Sequence, residues 1–137
     1  MADLIVLREA FDDLDAIYRT DEEAAALFEV LFEQLDADRV MLENLYRPDN
    51  HYKYAPPFEV KKYGEMQRRG KNIFTIKVHD ADGVLLPYRA LVGHHSQIDT
   101  YFLLAFLDRE IAYDTSDKAF RTITERYEQA GIPTYAY

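Results

Sequence analysis

The chain has no cysteine, which excludes disulfides and thiolate metal sites and gives no reason to expect an oxidising compartment. It has no apolar run approaching the roughly 20 residues that cross a bilayer as a helix, so no membrane segment is expected. The opening residues, Met-Ala-Asp-Leu-Ile-Val-Leu, lack the positive n-region and small-residue cleavage site of a secretory signal, and the expected location is cytoplasmic. There is no glycine-rich loop to cradle phosphate, no nucleophile elbow and no His/Asp/Glu pattern with metal-ligand spacing, so neither cofactor nor metal is expected. The pair His94-His95 lacks a third ligand at useful spacing. No repeat or low-complexity tract is present.

What is there reads as one ordinary globular domain over residues 1–137, with 48% hydrophobic and 30% charged residues. Its charge is unevenly placed. Residues 1–52 hold 4 Lys+Arg against 14 Asp+Glu, while residues 53–137 hold 12 against 11. Between Lys53 and Lys77 seven basic residues face only Glu59 and Glu65. An acidic region therefore precedes a locally basic one. A net charge of −9 argues against a nucleic-acid partner for the chain as a whole; the basic stretch argues for a local one. One expectation that follows is that residues 1–50 shield the 53–77 stretch in cis.

Periodicity separates the chain into helical and extended parts. Leu4–Leu7 is a possible first strand. Over residues 8–19, Phe11, Leu14 and Ile17/Tyr18 recur at helical spacing. Thr20-Asp-Glu-Glu23 reads as a capping box, followed by a helix with Ala24, Leu27, Phe28, Leu31 and Leu35 inward. A third short helix is expected from Asp38 to about Tyr46, capped by Asp38 and ended by Pro48. Residues 58–69 fit an extended segment broken at Gly64 or a poor helix. Residues 72–79 alternate, with Phe74, Ile76 and Val78 on one face and Ile73, Thr75, Lys77 and His79 on the other. Strands are predicted over 84–92, with Pro87 at a bulge, and over 98–107, the latter apolar enough to be covered on both faces. A last helix capped by Thr115 or Ser116 places Ala119, Phe120, Ile123 and Tyr127 inward and closes at Gly131. The fold class is α+β: N-terminal helices on a small antiparallel sheet, a three-stranded meander plus a possible first strand, then a C-terminal helix.

Three segments carry a family resemblance. Asn-Ile-Phe-Thr-Ile-Lys77, Pro-Tyr88-Arg89-Ala-Leu and Phe-Leu-Leu-Ala-Phe-Leu-Asp-Arg109-Glu-Ile-Ala-Tyr113 resemble the strands of the RelE/ParE toxin superfamily, over roughly residues 58–130. The chain is longer and more acidic than members commonly are. The resemblance implies a toxin of a toxin–antitoxin system: a metal-independent endonuclease of messenger RNA, acting on RNA or at the ribosome and held in check by an antitoxin protein. It assigns Arg89 to clamp phosphate, Lys77 to add charge or move a proton, Arg109 to bind phosphate or protonate the leaving oxygen, and Tyr113 to proton transfer or stacking. His79, on the face of Lys77, is an alternative base. Lys61, Lys62, Arg68, Arg69 and Lys71 are the candidate RNA contacts. The superfamily also contains proteins that act by binding another protein, so a non-catalytic module remains the alternative.

Overall fold

Alternating and helical periodicities occupy separate stretches of the chain, and the computed structural model, which describes residues 2–45, 56–112 and 118–135, folds them into layers. Among those residues, strand β1 (Asp3–Val6) leads into α1 (Arg8–Thr20), α2 (Glu22–Ala37) and α3 (Arg39–Glu43). Then come β2 (Phe58–Lys62), the short helix α4 (Gly64–Arg68), β3 (Ile73–Val78), β4 (Tyr88–His95), β5 (Thr100–Asp108), α5 (Arg109–Ala112) and α6 (Lys118–Gln129). The strands form one five-stranded sheet in the order β1-β5-β4-β3-β2. No helix among the described residues is long and apolar enough to cross a membrane.

The sheet is mixed, not purely antiparallel as the sequence suggested. β2 to β5 form an antiparallel meander, while β1 pairs in parallel with β5, from Asp3↔Thr100 to Val6↔Leu103. The ambiguous 58–69 segment is both things at once: β2 pairs with β3 from Phe58↔Val78 to Lys62↔Phe74, and α4 follows directly. β4 begins at Tyr88, beyond exposed Pro87, because a proline nitrogen cannot donate to a ladder. The irregularity sits instead between Leu91 and Val92, where Leu104 of β5 is extra. β4 then runs on through His95, and the turn to β5 carries Asp99 at φ 47.

Strand alternation sorts the core into two. On one face Ala90, Val92, Leu103 and Phe106 pack with Leu14, Phe28, Leu31 and Leu35 of the acidic helices. On the other, Ile73, Leu91, Phe102 and Leu104 pack with Met66, Phe120, Ile123 and Tyr127. Burying each such Leu, Ile or Phe contributes about 1.5–3 kcal/mol. β5, between β1 and β4, is covered on both faces, as its unbroken apolar run requires.

Two local expectations change. α1 continues through Thr20, whose hydroxyl donates to Ile17 O, and Asp21 is the cap: its carboxylate accepts from Ala24 N at 3.2 Å. The buried stripe of α1 is Ala10, Leu14 and Ile17, which leaves Phe11 54% exposed. Asp38 caps α3 as expected, accepting from Met41 N at 3.0 Å.

β1 is too short to cover the whole of β5, and an ion pair completes that edge. Beyond Leu103, Leu104 O accepts from Arg126 Nη1 (2.9 Å) and Phe106 N donates to Asp13 (3.2 Å). Asp13 and Arg126 bind each other at 2.7 Å. This clamp joins α1 on one face to α6 on the other and satisfies two backbone groups that would otherwise be orphaned. A second tie closes the C-terminal tail: Tyr135 N donates to Gly70 O at 2.7 Å. Gly70 has φ +79, and a Cβ there would stand 2.0 Å from Tyr135 O, so only glycine fits.

Candidate phosphate-binding site at one end of the sheet

β-pairing builds a row of polar residues across the end of the sheet on the face of α4 and α6. Glu59 lies opposite Lys77, and Arg89 lies opposite Leu107. The β3–β4 ladder reaches Ile76↔Ala90, so the next position outward sets Lys77 beside Arg89. Neighbouring strands are about 5 Å apart. The row therefore reads Glu59, Lys77, Arg89, Leu107, on the side of the sheet shared with Leu91 and Ala105.

Arg89 is the unusual member. It is only 2% exposed. Its Nη1 donates to Leu86 O (3.0 Å) and Tyr88 O (2.9 Å), while Nε is buried with no partner. Among the described residues no carboxylate stands within ion-pair distance of it. A guanidinium so placed costs several kcal/mol in lost hydration, which two carbonyls offset only in part. The intervening carbonyl, Pro87 O, accepts from Arg109 N at 2.9 Å. Residues 86–88 thus hold the Arg89 side chain and the Arg109 backbone at one corner, with the Arg109 side chain exposed at the start of α5. Lys77 is half-buried. Tyr113 lies outside the described residues.

His79, just past β3, bridges to Leu85. Its Nε2 lies 3.1 Å from Glu59 and its Nδ1 3.4 Å from Gly83 O. Each ring nitrogen thus has an acceptor oxygen within reach, and the tautomer decides which of the two donates. Among the described residues no three His, Asp or Glu side chains are grouped to hold a metal.

The basic stretch divides by environment. Lys61 and Lys62 are exposed on the edge strand β2, one on each face. Arg68 and Arg69 both bind Glu65, at 2.6 and 3.0 Å, and these two hydrogen bonds hold the Glu65 carboxyl below the usual carboxylate range. Arg69 also lies 4.7 Å over the Phe120 ring. Lys71 is buried, with Nζ near Glu128 (3.8 Å) and the Tyr127 ring (5.9 Å). These ion pairs are made within the second half of the chain. The acidic helices α1 to α3 pack on the opposite face of the sheet, so the expected shielding of this stretch in cis does not describe its arginines or Lys71.

Two features escaped the sequence reading. One is the Asp13–Arg126 clamp, whose partners are 113 residues apart. The other is an apolar cleft of about 270 Å³ on the helical face, with Glu29, Glu33 and Asp36 along one side. Its signal was available: those acids recur at i, i+4, i+7 beside Phe28 and Phe32. No family model, curated protein or solved structure matches the chain.

Proposed function

We propose that the corner formed by Lys77, Arg89 and Arg109 binds the phosphodiester of RNA, and that the protein is a RelE-like toxin that cleaves messenger RNA without a metal. The observation that carries this reading is the buried Arg89, a cation with an unsatisfied Nε and no carboxylate partner among the described residues. A phosphate oxygen supplies both the missing acceptor and the missing charge, and a guanidinium takes two such oxygens at once.

A base removes the proton of the ribose 2′-OH, the 2′-oxygen attacks phosphorus, and the bond to the 5′-oxygen breaks with a proton delivered to that oxygen. The products are a 2′,3′-cyclic phosphate and a 5′-hydroxyl. Arg89 stabilises the charge on the five-coordinate phosphorus. Lys77, beside it, serves as base when neutral, and Arg109 lies against the leaving group. An antitoxin would act by covering this end of the sheet.

Arg89→Met keeps the volume and removes the charge. With purified protein and a defined RNA in the presence of a chelator, it should slow cleavage by on the order of 10²-fold or more. Growth arrest on expression should disappear with it. Equal cleavage by folded Arg89→Met and Arg109→Ala would falsify the catalytic reading. The commitment of Arg68, Arg69 and Lys71 to Glu65 and Glu128 favours one alternative. In that reading the same fold binds a protein and not RNA, and RNA affinity would show almost no dependence on salt.

A further inference from the structure

The cleft on the helical face is independent of the phosphate corner and has its own chemistry. It lies between α1, α2, β1 and β5, and its volume of about 270 Å³ is room for roughly nine waters. Four phenylalanines line it: Phe11 from α1, Phe28 and Phe32 from α2, and Phe106 from β5. Phe28 and Phe32 each meet the Phe106 ring edge-on, with centroids 5.2 and 5.8 Å apart. Phe11 stands at the mouth, 54% exposed, a large apolar side chain with half its surface left to water.

One wall is anionic. Glu29, Glu33 and Asp36 line the cleft, and among the described residues no basic side chain does. Like charges four apart on a helix repel. The C-terminal half of a helix also carries partial negative charge that favours cations, yet the last turn of α2 has no basic residue. Arg39, next along the chain, is committed to Ala2 O and Asp3. Glu29 accepts the Tyr18 hydroxyl. Among the described residues Glu33 and Asp36 have no ion-pair partner. Aromatic faces and carboxylates around an apolar volume are the chemistry that recognises an organic cation: rings attract the charge through their quadrupoles, and the pocket takes the hydrocarbon.

We propose that this cleft binds a small organic ammonium ion carried on an apolar body, the chain seated against Phe28, Phe32 and Phe106 and the charge between Phe11 and the Glu33–Asp36 wall. Neither end suffices alone. A bare cation leaves the apolar volume to water, and a neutral or anionic amphiphile leaves the carboxylates unmatched or repelled.

Titration calorimetry of the full chain tests this with hexyltrimethylammonium, tetramethylammonium, hexanol and hexanoate as probes. The first should bind at one site with a Kd of about 1 mM or tighter, a modest efficiency for a ligand of that size. Hexanol and tetramethylammonium should bind about tenfold more weakly or worse, and hexanoate not at all. Glu33→Gln with Asp36→Asn should weaken the first probe about tenfold and leave hexanol unchanged, and Phe11→Ala should weaken it too. All three positions are on the surface, so these variants should melt as the parent does. No saturable binding of hexyltrimethylammonium, or equal binding by the parent and both variants, overturns the proposal. Preference for hexanol or hexanoate overturns it as well. RNA cleavage should be the same in parent and variants; a parallel loss would place the two sites in one and equally refute an independent cleft.

Discussion

The two faces of the sheet divide the protein's chemistry between them. The face under α1 to α3 carries the acidic region, and its surface opening is an apolar cleft edged with carboxylates. The face under α4 and α6 carries Lys77 and Arg89 at one end, with Arg68 and Arg69 tied to Glu65 and Arg89 itself buried. A net charge of −9 describes neither face. The uneven charge along the chain becomes a difference across the sheet, because the first helices all pack on one side of it. A cationic corner thus persists in an acidic protein, separated from most of the carboxylates by the low-dielectric layer of the core. The same separation explains why the acidic helices do not neutralise Arg89.

What couples the faces is the Asp13–Arg126 clamp, and breaking it should give the largest effect. Arg126→Ala leaves a partly buried carboxylate unpaired and Leu104 O without its donor. A loss of about 3 kcal/mol is expected, read as a lower midpoint in urea unfolding. Asp13→Ala should cost a similar amount, and the double variant much less than the sum, since both act on one interaction. If the two losses add fully, the residues do not act as a pair and the faces are held together by core packing alone.

Arg89 sharpens the comparison in the opposite direction. A buried cation with no counter-ion among the described residues burdens the fold, so Arg89→Met should stabilise the protein by about 1–2 kcal/mol while abolishing the proposed phosphate binding. Thermal denaturation and phosphate titration of one sample measure both. Phosphate should in turn stabilise the parent and not the variant. A variant less stable than the parent would make Arg89 a structural residue, held by Leu86 O and Tyr88 O for its own sake.

Much of the architecture could be read from residue order. The alternation through Ile73 to Val78, the Asp38 cap, the two-sided burial of β5 and the inward Phe120, Ile123 and Tyr127 are local patterns, and local physics decides them. What could not be read depended on distant partners. The 58–69 segment is half strand and half helix, so neither periodicity holds over a full window. Thr20 and Asp21 are both good caps, and the extension of α1 by one residue, through Thr20, decides between them. Phe11 fits a helical stripe as well as Ala10 does; the close approach of α1 to the sheet selects the smaller side chain. The cationic corner was legible as residue types but not as burial. That Arg89 would be enclosed with no carboxylate among the described residues depends on where residues 86–88 and Leu107 fall around it.

The smallest effect tests the anionic wall itself. The Tyr18 phenol is pushed up to about 12, first by its hydrogen bond to Glu29, then by burial and by the charges of Glu29, Glu22 and Glu33. Its value in the unfolded chain is about 10. Because the folded state holds the neutral phenol more strongly, this contribution is complete below about pH 10 and is lost as pH rises from there through about 12. Glu29→Gln removes the first cause and one of the charges, so Tyr18 should then titrate closer to the ordinary range. Carbon NMR of labelled tyrosines, with Tyr18→Phe to assign the signal among 11 tyrosines, reads the shift directly. An unchanged titration in Glu29→Gln would mean that the carboxylates along the cleft exert little field on their neighbours. The contrast between the two faces would then rest on Arg89 alone.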